Sequence, residues 1–207
     1  VKGKNEIKLE DVLVGEVWLG SGQSNMQLTF FETHPQEWVE AQTQKDNRLV
    51  RALHVRRVVA GAVMDDINGR WKDCADMLAN SDSVSSVAFF FAVKLQKEIG
   101  IPVAFIDCPW GGMRIESFIP DAGYKAINVA LPVHGKTPDL KRAEAELRAV
   151  ADDARVAAEA AAKGRTVGFS TMYPIYGQAP NSICNAMISP VAPYALRGAI
   201  WYQGESN

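Results

Sequence analysis

The stretch from Ser83 to Ile106 restricts the fold more than any other part of the chain. Val84, Val87, Ala88, Phe91, Leu95 and Ile99 recur at helical spacing, Ser83 precedes them as a cap, and Gly100 and Pro102 end the run. Directly after it, Val103-Ala104-Phe105-Ile106 is apolar without alternation, which marks a strand covered on both faces in a parallel sheet. An amphipathic helix leading into such a strand is half of a βαβ unit, so an α/β fold is expected.

Two further segments repeat the theme of a strand that runs into a small polar loop. Val12–Gly20 reads as a buried strand ending in Ser21-Gly22-Gln23-Ser24-Asn25-Met26, and Leu196–Tyr202 as another ending in Gln203-Gly204-Glu205-Ser206-Asn207. The Val103–Ile106 strand leads likewise into Asp107-Cys108-Pro109-Trp110-Gly111-Gly112. In open α/β sheets the ligand site lies outside the carboxyl ends of the strands, so the three loops are expected to share one site. Leu49–Val59 suggests a half-exposed strand, residues 139–163 a long, largely exposed helix stopped by Gly164, and Gly168–Pro193 an ordered loop region.

Composition excludes several classes. With 207 residues, 47% of them hydrophobic, the chain is long enough to bury roughly 70% of its unfolded surface and needs no disulfide or metal staple. A formal net charge of -2 and the lack of a basic stripe argue against nucleic acid as a partner. Cys74, Cys108 and Cys184 lie far apart without C-x-x-C spacing, so they read as core thiols, and no metal or cofactor is expected. No apolar run approaches the roughly 20 residues of a membrane-spanning helix, so no membrane partner is expected. The opening residues lack the apolar core of a signal peptide and do not begin with Met, which leaves the compartment unread.

Ser24 is the sharpest chemical candidate. A serine on the turn between a buried strand and a helix presents its hydroxyl at the sheet edge beside backbone N–H groups suited to an oxyanion; the alternative is a plain helix N-cap. Gly111-Gly112 permits close approach of a substrate to the backbone, or is a simple turn. Gln203 and Asn207 carry side-chain amides able to stabilise a tetrahedral intermediate, and Glu205 is placed to orient a histidine base. Trp110 and Tyr202 are candidates for stacking on a sugar, or core aromatics; Arg114 and Glu116 follow the glycine pair, and Arg114 suits a substrate carboxylate.

The strings GEVWLGSGQSNM from Gly15, IPVAFIDCPWGGMRIESF from Ile101 and NAMISPVAPYALRGAIWYQGESN from Asn185 together resemble the sialate O-acetylesterase family, which is related to acetylxylan esterases among the SGNH-type hydrolases. The resemblance touches most of the chain. It implies a flavodoxin-like three-layer α/β/α fold with a central parallel sheet, incomplete at its C-terminal side, forming one catalytic domain over residues 1–207 with a helical insertion at about 139–164. It also implies removal of O-acetyl groups from sugars, sialic acid first, by a serine nucleophile without metal. Ser24 matches the nucleophile block, Ser24, Gly112 and Gln203 the oxyanion hole, and Glu205 the acidic triad member of some relatives, while others use an Asp just upstream of the histidine. Asn25, Trp110, Gly111, Arg114 and Asn207 are the substrate-binding candidates. Related esterases are often periplasmic or secreted.

One part of the pattern is missing. The family's catalytic histidine lies beyond the WYQGESN block, and His34, His54 and His134 stand in other contexts, so each reads as a surface or structural residue. A serine without a base is a poor nucleophile at neutral pH. Three explanations are open: the chain is part of a longer esterase, whose remainder or a complementary fragment supplies the histidine; it is a non-catalytic glycan-binding protein; or one of its three histidines substitutes.

Overall fold

In the computed structural model of the protein the described residues are 6, 8–79, 84–127 and 180–206. In chain order they form β1 (Glu16–Gly22), α1 (Ser24–Gln27), a 3-10 turn (Phe30–Glu32), α2 (Pro35–Gln42), β2 (Val50–Val55), β3 (Gly69–Asp73) and α3 (Cys74–Ala79). There follow α4 (Ser86–Ile99), β4 (Val103–Pro109), a 3-10 turn (Ile115–Phe118), α5 (Asp121–Ala126), a π-helical turn (Cys184–Ile188) and β5 (Gly198–Tyr202).

The five strands make one sheet in the order β3-β2-β4-β1-β5. β2, β4, β1 and β5 run parallel, and β3 joins antiparallel to β2. Side chains alternate across the central strands, as the period of two requires. Val50, Ala52, Val103 and Phe105 enter a core with Phe30, Cys74, Met77 and the buried stripe of α4, Ala88, Phe89, Ala92 and Val93. Leu53, Val55, Ile106 and Cys108 enter the opposite core with Trp110, Met113, Phe118, Ile183 and Met187. Doubly covered β4 is thus the centre of a layered α/β fold.

Several expectations shift. The first strand starts at Glu16 rather than Val12: Val12 and Val14 are exposed, and pairing begins where the Glu16 N–H donates to the Pro102 carbonyl (3.0 Å). The helix expected from Ser83 is capped by Ser85, whose hydroxyl accepts from the Ala88 N–H (3.1 Å), and Gly100 ends it in the left-handed conformation (φ 70°). β2 is mostly buried rather than half-exposed, because Val50 and Ala52 enter one core and Leu53 and Val55 the other, while β3, which the sequence reading did not single out, pairs with its outer edge. β5 is shorter than expected and is not buried: paired only with β1, it leaves Trp201 and Tyr202 exposed. Within Gly168–Pro193 the described part is not loop but helix-like, since Ile183, Ala186 and Met187 have a core to enter. The helix expected over 139–164 lies outside the described residues.

All three thiols are buried. Burial pushes Cys74 up to about 12, with the Asp73 charge adding to the rise. Burial also lifts Cys108, reinforced by the Asp107 charge, and Cys184. The native protein is therefore expected to resist a thiol-specific disulfide reagent at pH 8 and to release three equivalents only when denatured; rapid native labelling would contradict this packing. The sign of the linkage follows. Folded Cys74 keeps its proton above the ordinary value of 9.0, so stability is intact below that pH and declines as pH rises toward about 12.

Candidate active site

Parallel pairing brings three strand ends level. Gly22 of β1 stands opposite Pro109 of β4 on one side and Tyr202 of β5 on the other. The loops that follow consequently leave the sheet side by side, as their sequences led one to expect. Backbone bonds join them at once: the Trp110 N–H donates to the Gly22 carbonyl (2.9 Å) and the Gln23 N–H to the Tyr202 carbonyl (3.0 Å). Beneath them the Ser21 hydroxyl donates to the Cys108 carbonyl (2.9 Å).

Gly22 is required here by its surroundings. Its φ of +138° is rarely adopted by other residues, and a Cβ would stand 2.0 Å from the Tyr202 carbonyl oxygen. Only a bare backbone lets β1 turn out of the sheet while staying paired to β5.

Ser24 is the first residue of α1, and Gln23, not Ser24, occupies the N-cap. The alternative in which the serine is only a cap therefore does not hold. Its side chain is exposed at the strand ends. As the first helical residue it is one of the positions whose N–H has no acceptor within the helix. Met26 is buried, and the Leu28 carbonyl accepts from both the N–H and the hydroxyl of Ser86 (2.8 Å each), so α1 is anchored to α4 while Ser24 faces outward.

The glycine pair lies against Ser24. A Cβ on Gly111 would crowd Gln27 Oε1 at 3.1 Å and lie in ordinary contact with the Ser24 Cα (3.4 Å) and Cβ (3.6 Å). The Gly111 N–H donates to Gln27 Oε1 (2.6 Å), and Gly112 adopts φ +76°. Gly112, the candidate oxyanion donor, directly follows the residue bonded to Gln27. Trp110, a candidate for sugar stacking, is only 5% exposed and packs in the core with Met113, Phe118 and Met187. That correction follows from its position: the residue after Pro109 points to the same layer as the neighbouring apolar groups. Arg114 is exposed and starts the Ile115–Phe118 turn.

On the third loop, Gln203 Nε2 donates to Gln23 Oε1 (3.0 Å), and Asn25 Nδ2 donates to the Glu205 carboxylate. Asn25 and Glu205, expected in separate roles, are thus partners. Tyr202 is half exposed, and Trp201 meets Phe118 edge to face (5.2 Å between rings). Asn207 lies outside the described residues. Among the histidines, His54 Nδ1 pairs with Asp107 Oδ2 (2.7 Å), whose other oxygen accepts from the Ser85 N–H (3.2 Å) at the start of α4. His34 is exposed and bonds the neighbouring Gln36, and His134 lies outside the described residues. Among the described residues no group of three His, Cys, Asp or Glu could hold a metal ion, and no helix is long and apolar enough to cross a membrane.

Gln23 and Gln27 carry roles that the sequence reading did not assign. Both stand in or beside the quoted GQSNM string. The one available signal was a long amide directly after a buried strand, where burial demands partners.

The sequence aligns with sialate O-acetylesterase of Rattus norvegicus at 30% identity over 97% of this chain and 37% of that protein. The Homo sapiens sialate O-acetylesterase is 28% identical over 97% of this chain and 33% of its own length. The chain is a relative of the sialate O-acetylesterases. It spans about a third of the length of these curated relatives. A crystal structure of a carbohydrate acetylesterase from Xanthomonas citri superposes with a TM-score of 0.61 and 25% identity, covering 94% of this chain and 33% of that one. No protein-family profile matches the chain. The relationship agrees with the sialate O-acetylesterase resemblance of the three strings and with the α/β fold.

Proposed function

We propose that this chain carries the nucleophile side of a serine carbohydrate esterase that removes O-acetyl groups from sugars, with O-acetylated sialic acid as the first substrate. The observation that carries the reading is the exposed Ser24 hydroxyl at the meeting point of three loops, in a relative of the sialate O-acetylesterases.

In this reading Ser24 Oγ attacks the acetyl carbonyl carbon and its proton passes to a histidine base. The negative oxygen of the tetrahedral intermediate is held by the N–H groups of Ser24 and Gly112 and by the Gln203 amide, where a single donor is worth about 3 kcal/mol. The carbon–oxygen bond to the sugar then breaks, the sugar hydroxyl takes the proton, and water releases acetate from the acyl-enzyme. His54 lies in β2, separated from β1 by β4, and His34 is exposed beside Gln36, so in this reading the base is His134 or a histidine of a longer chain or a complementary fragment. Glu205 is the candidate acid; its tie to Asn25 keeps it on the Ser24 edge. Arg114 is the candidate partner for a substrate carboxylate.

The test is acetate release by the full chain from 9-O-acetylated sialic acid, acetylated xylan and an acetylated neutral monosaccharide. The expected result is turnover of the first at least tenfold above the other two. Preference for xylan would make the protein an acetylxylan esterase, and binding of acetylated sugar with no acetate released from any substrate would make it a glycan-binding protein.

A further inference from the structure

Gln23 is fully buried, and its amide makes four hydrogen bonds to the loop after β5. Its Nε2 donates to the Ser206 hydroxyl (3.0 Å). Its Oε1 receives Gln203 Nε2 (3.0 Å) and the backbone N–H groups of Gly204 and Ser206 (3.3 Å each). Its own N–H holds the Tyr202 carbonyl, the last residue of β5. One side chain thus gathers Gln203, Gly204 and Ser206, three of the four residues of a segment with no strand or helix of its own and with Gly204 at φ +144°.

We propose that Gln23 is a positioning residue: it fixes the loop that carries Gln203 and Glu205 at a set distance from the adjacent Ser24. The inference rests on Ser24 being the nucleophile. Three features support it. Gln23 and Ser24 are consecutive, so a loop fastened to the first is referenced to the second through one peptide bond. The bonds converge on a buried amide, where leaving donors unpaired is costly and the arrangement is correspondingly specific. The same turn of chain repeats the device on the other side, because Gln27 accepts from the Gly111 N–H (2.6 Å). The Asn25–Glu205 contact is exposed and cannot replace a buried clasp.

Displacement of a catalytic donor by about 1 Å costs on the order of 100-fold in rate. In the full chain Gln23→Met, which keeps length but removes every side-chain polar bond, is expected to lower kcat about 100-fold with KM within about threefold. Amide hydrogen exchange at Gly204 and Ser206 should rise at least about tenfold in that variant while the β1 and β4 amides stay protected. Gln23→Glu keeps the accepting oxygen, and the Ser206 hydroxyl is able to turn and donate to it; kcat within about tenfold of the parent and retained protection are expected.

A folded Gln23→Met protein with parental kcat, or with parental exchange at Gly204 and Ser206, overturns the proposal. Should Gln23→Met not fold, Gln23→Glu decides: loss of more than about 100-fold in kcat with the loop still protected shows that holding the loop is not what Gln23 contributes. Ser24→Ala run in parallel separates the two levels. If that variant keeps full turnover the nucleophile assignment fails and this inference with it, whereas an inactive Ser24→Ala beside a fully active Gln23→Met removes the positioning role alone.

Discussion

Ser24→Ala in the full chain is expected to cut acetate release at saturating substrate by at least about 1,000-fold, with binding of acetylated sugar little changed. In the proposed reaction the Ser24 hydroxyl forms the acyl-enzyme, and the remaining candidate donors would hold the oxyanion without supplying a nucleophile. The substitution should be nearly silent for stability. Ser24 is exposed, it is not the cap of α1, and exposed changes away from caps and cores fall within about 0.5 kcal/mol. Initial rates of acetate release, a calorimetric titration with substrate and a thermal melt make the comparison. A variant that still releases acetate at the parental rate removes Ser24 from the mechanism.

Gly22→Ala should be the most damaging single methyl on the sheet. The new Cβ meets the Tyr202 carbonyl oxygen at 2.0 Å, a backbone atom that cannot swing aside, and φ +138° is strained for alanine. Relief requires β5 to move off β1 at the point where the loops of the candidate site begin. Strain and overpacking together are expected to cost about 3 kcal/mol or more, a fall in melting temperature of roughly 6–12 °C for a domain of this size. Activity should fall further than stability, because the same displacement carries Gln203 and Glu205 away from Ser24. Gly20→Ala is the useful comparison: its Cβ would meet the Ala88 methyl at 3.2 Å with no unusual backbone, so a smaller loss is expected. Equal stability of the Gly22→Ala and parental proteins would show that β1 does not leave the sheet as described.

Much of this protein was legible in one dimension. The amphipathic stripe of α4 and the unbroken apolar start of β4 declare a helix and a doubly covered strand, because burial on one face and on two faces leaves different periods in the sequence. The three Gly-bearing loops after apolar runs are expected side by side and stand so, since parallel strands put their carboxyl ends on one side. The strings around Ser24, Gly111-Gly112 and Gln203 pointed to an esterase relative, and the alignments agree.

What the order of residues left open was everything that depends on neighbours distant along the chain. β3 has a charged, exposed sequence that acquires its strand only by pairing with β2, and β5, apolar enough to be read as buried, ends the sheet with Trp201 and Tyr202 exposed. Trp110 stands between a sugar platform and the more common core role until the fold sets it in one core with Met187, far along the chain. His54 is one histidine in a strand until the register of β2 and β4 sets it beside Asp107. Gln23 carries no local mark of its role, because the three groups that donate to its buried oxygen arrive about 180 residues later. Periodicity and turn chemistry are local and so are written in the sequence; partner choice for a polar side chain is a long-range contact, and only the folded chain decides it.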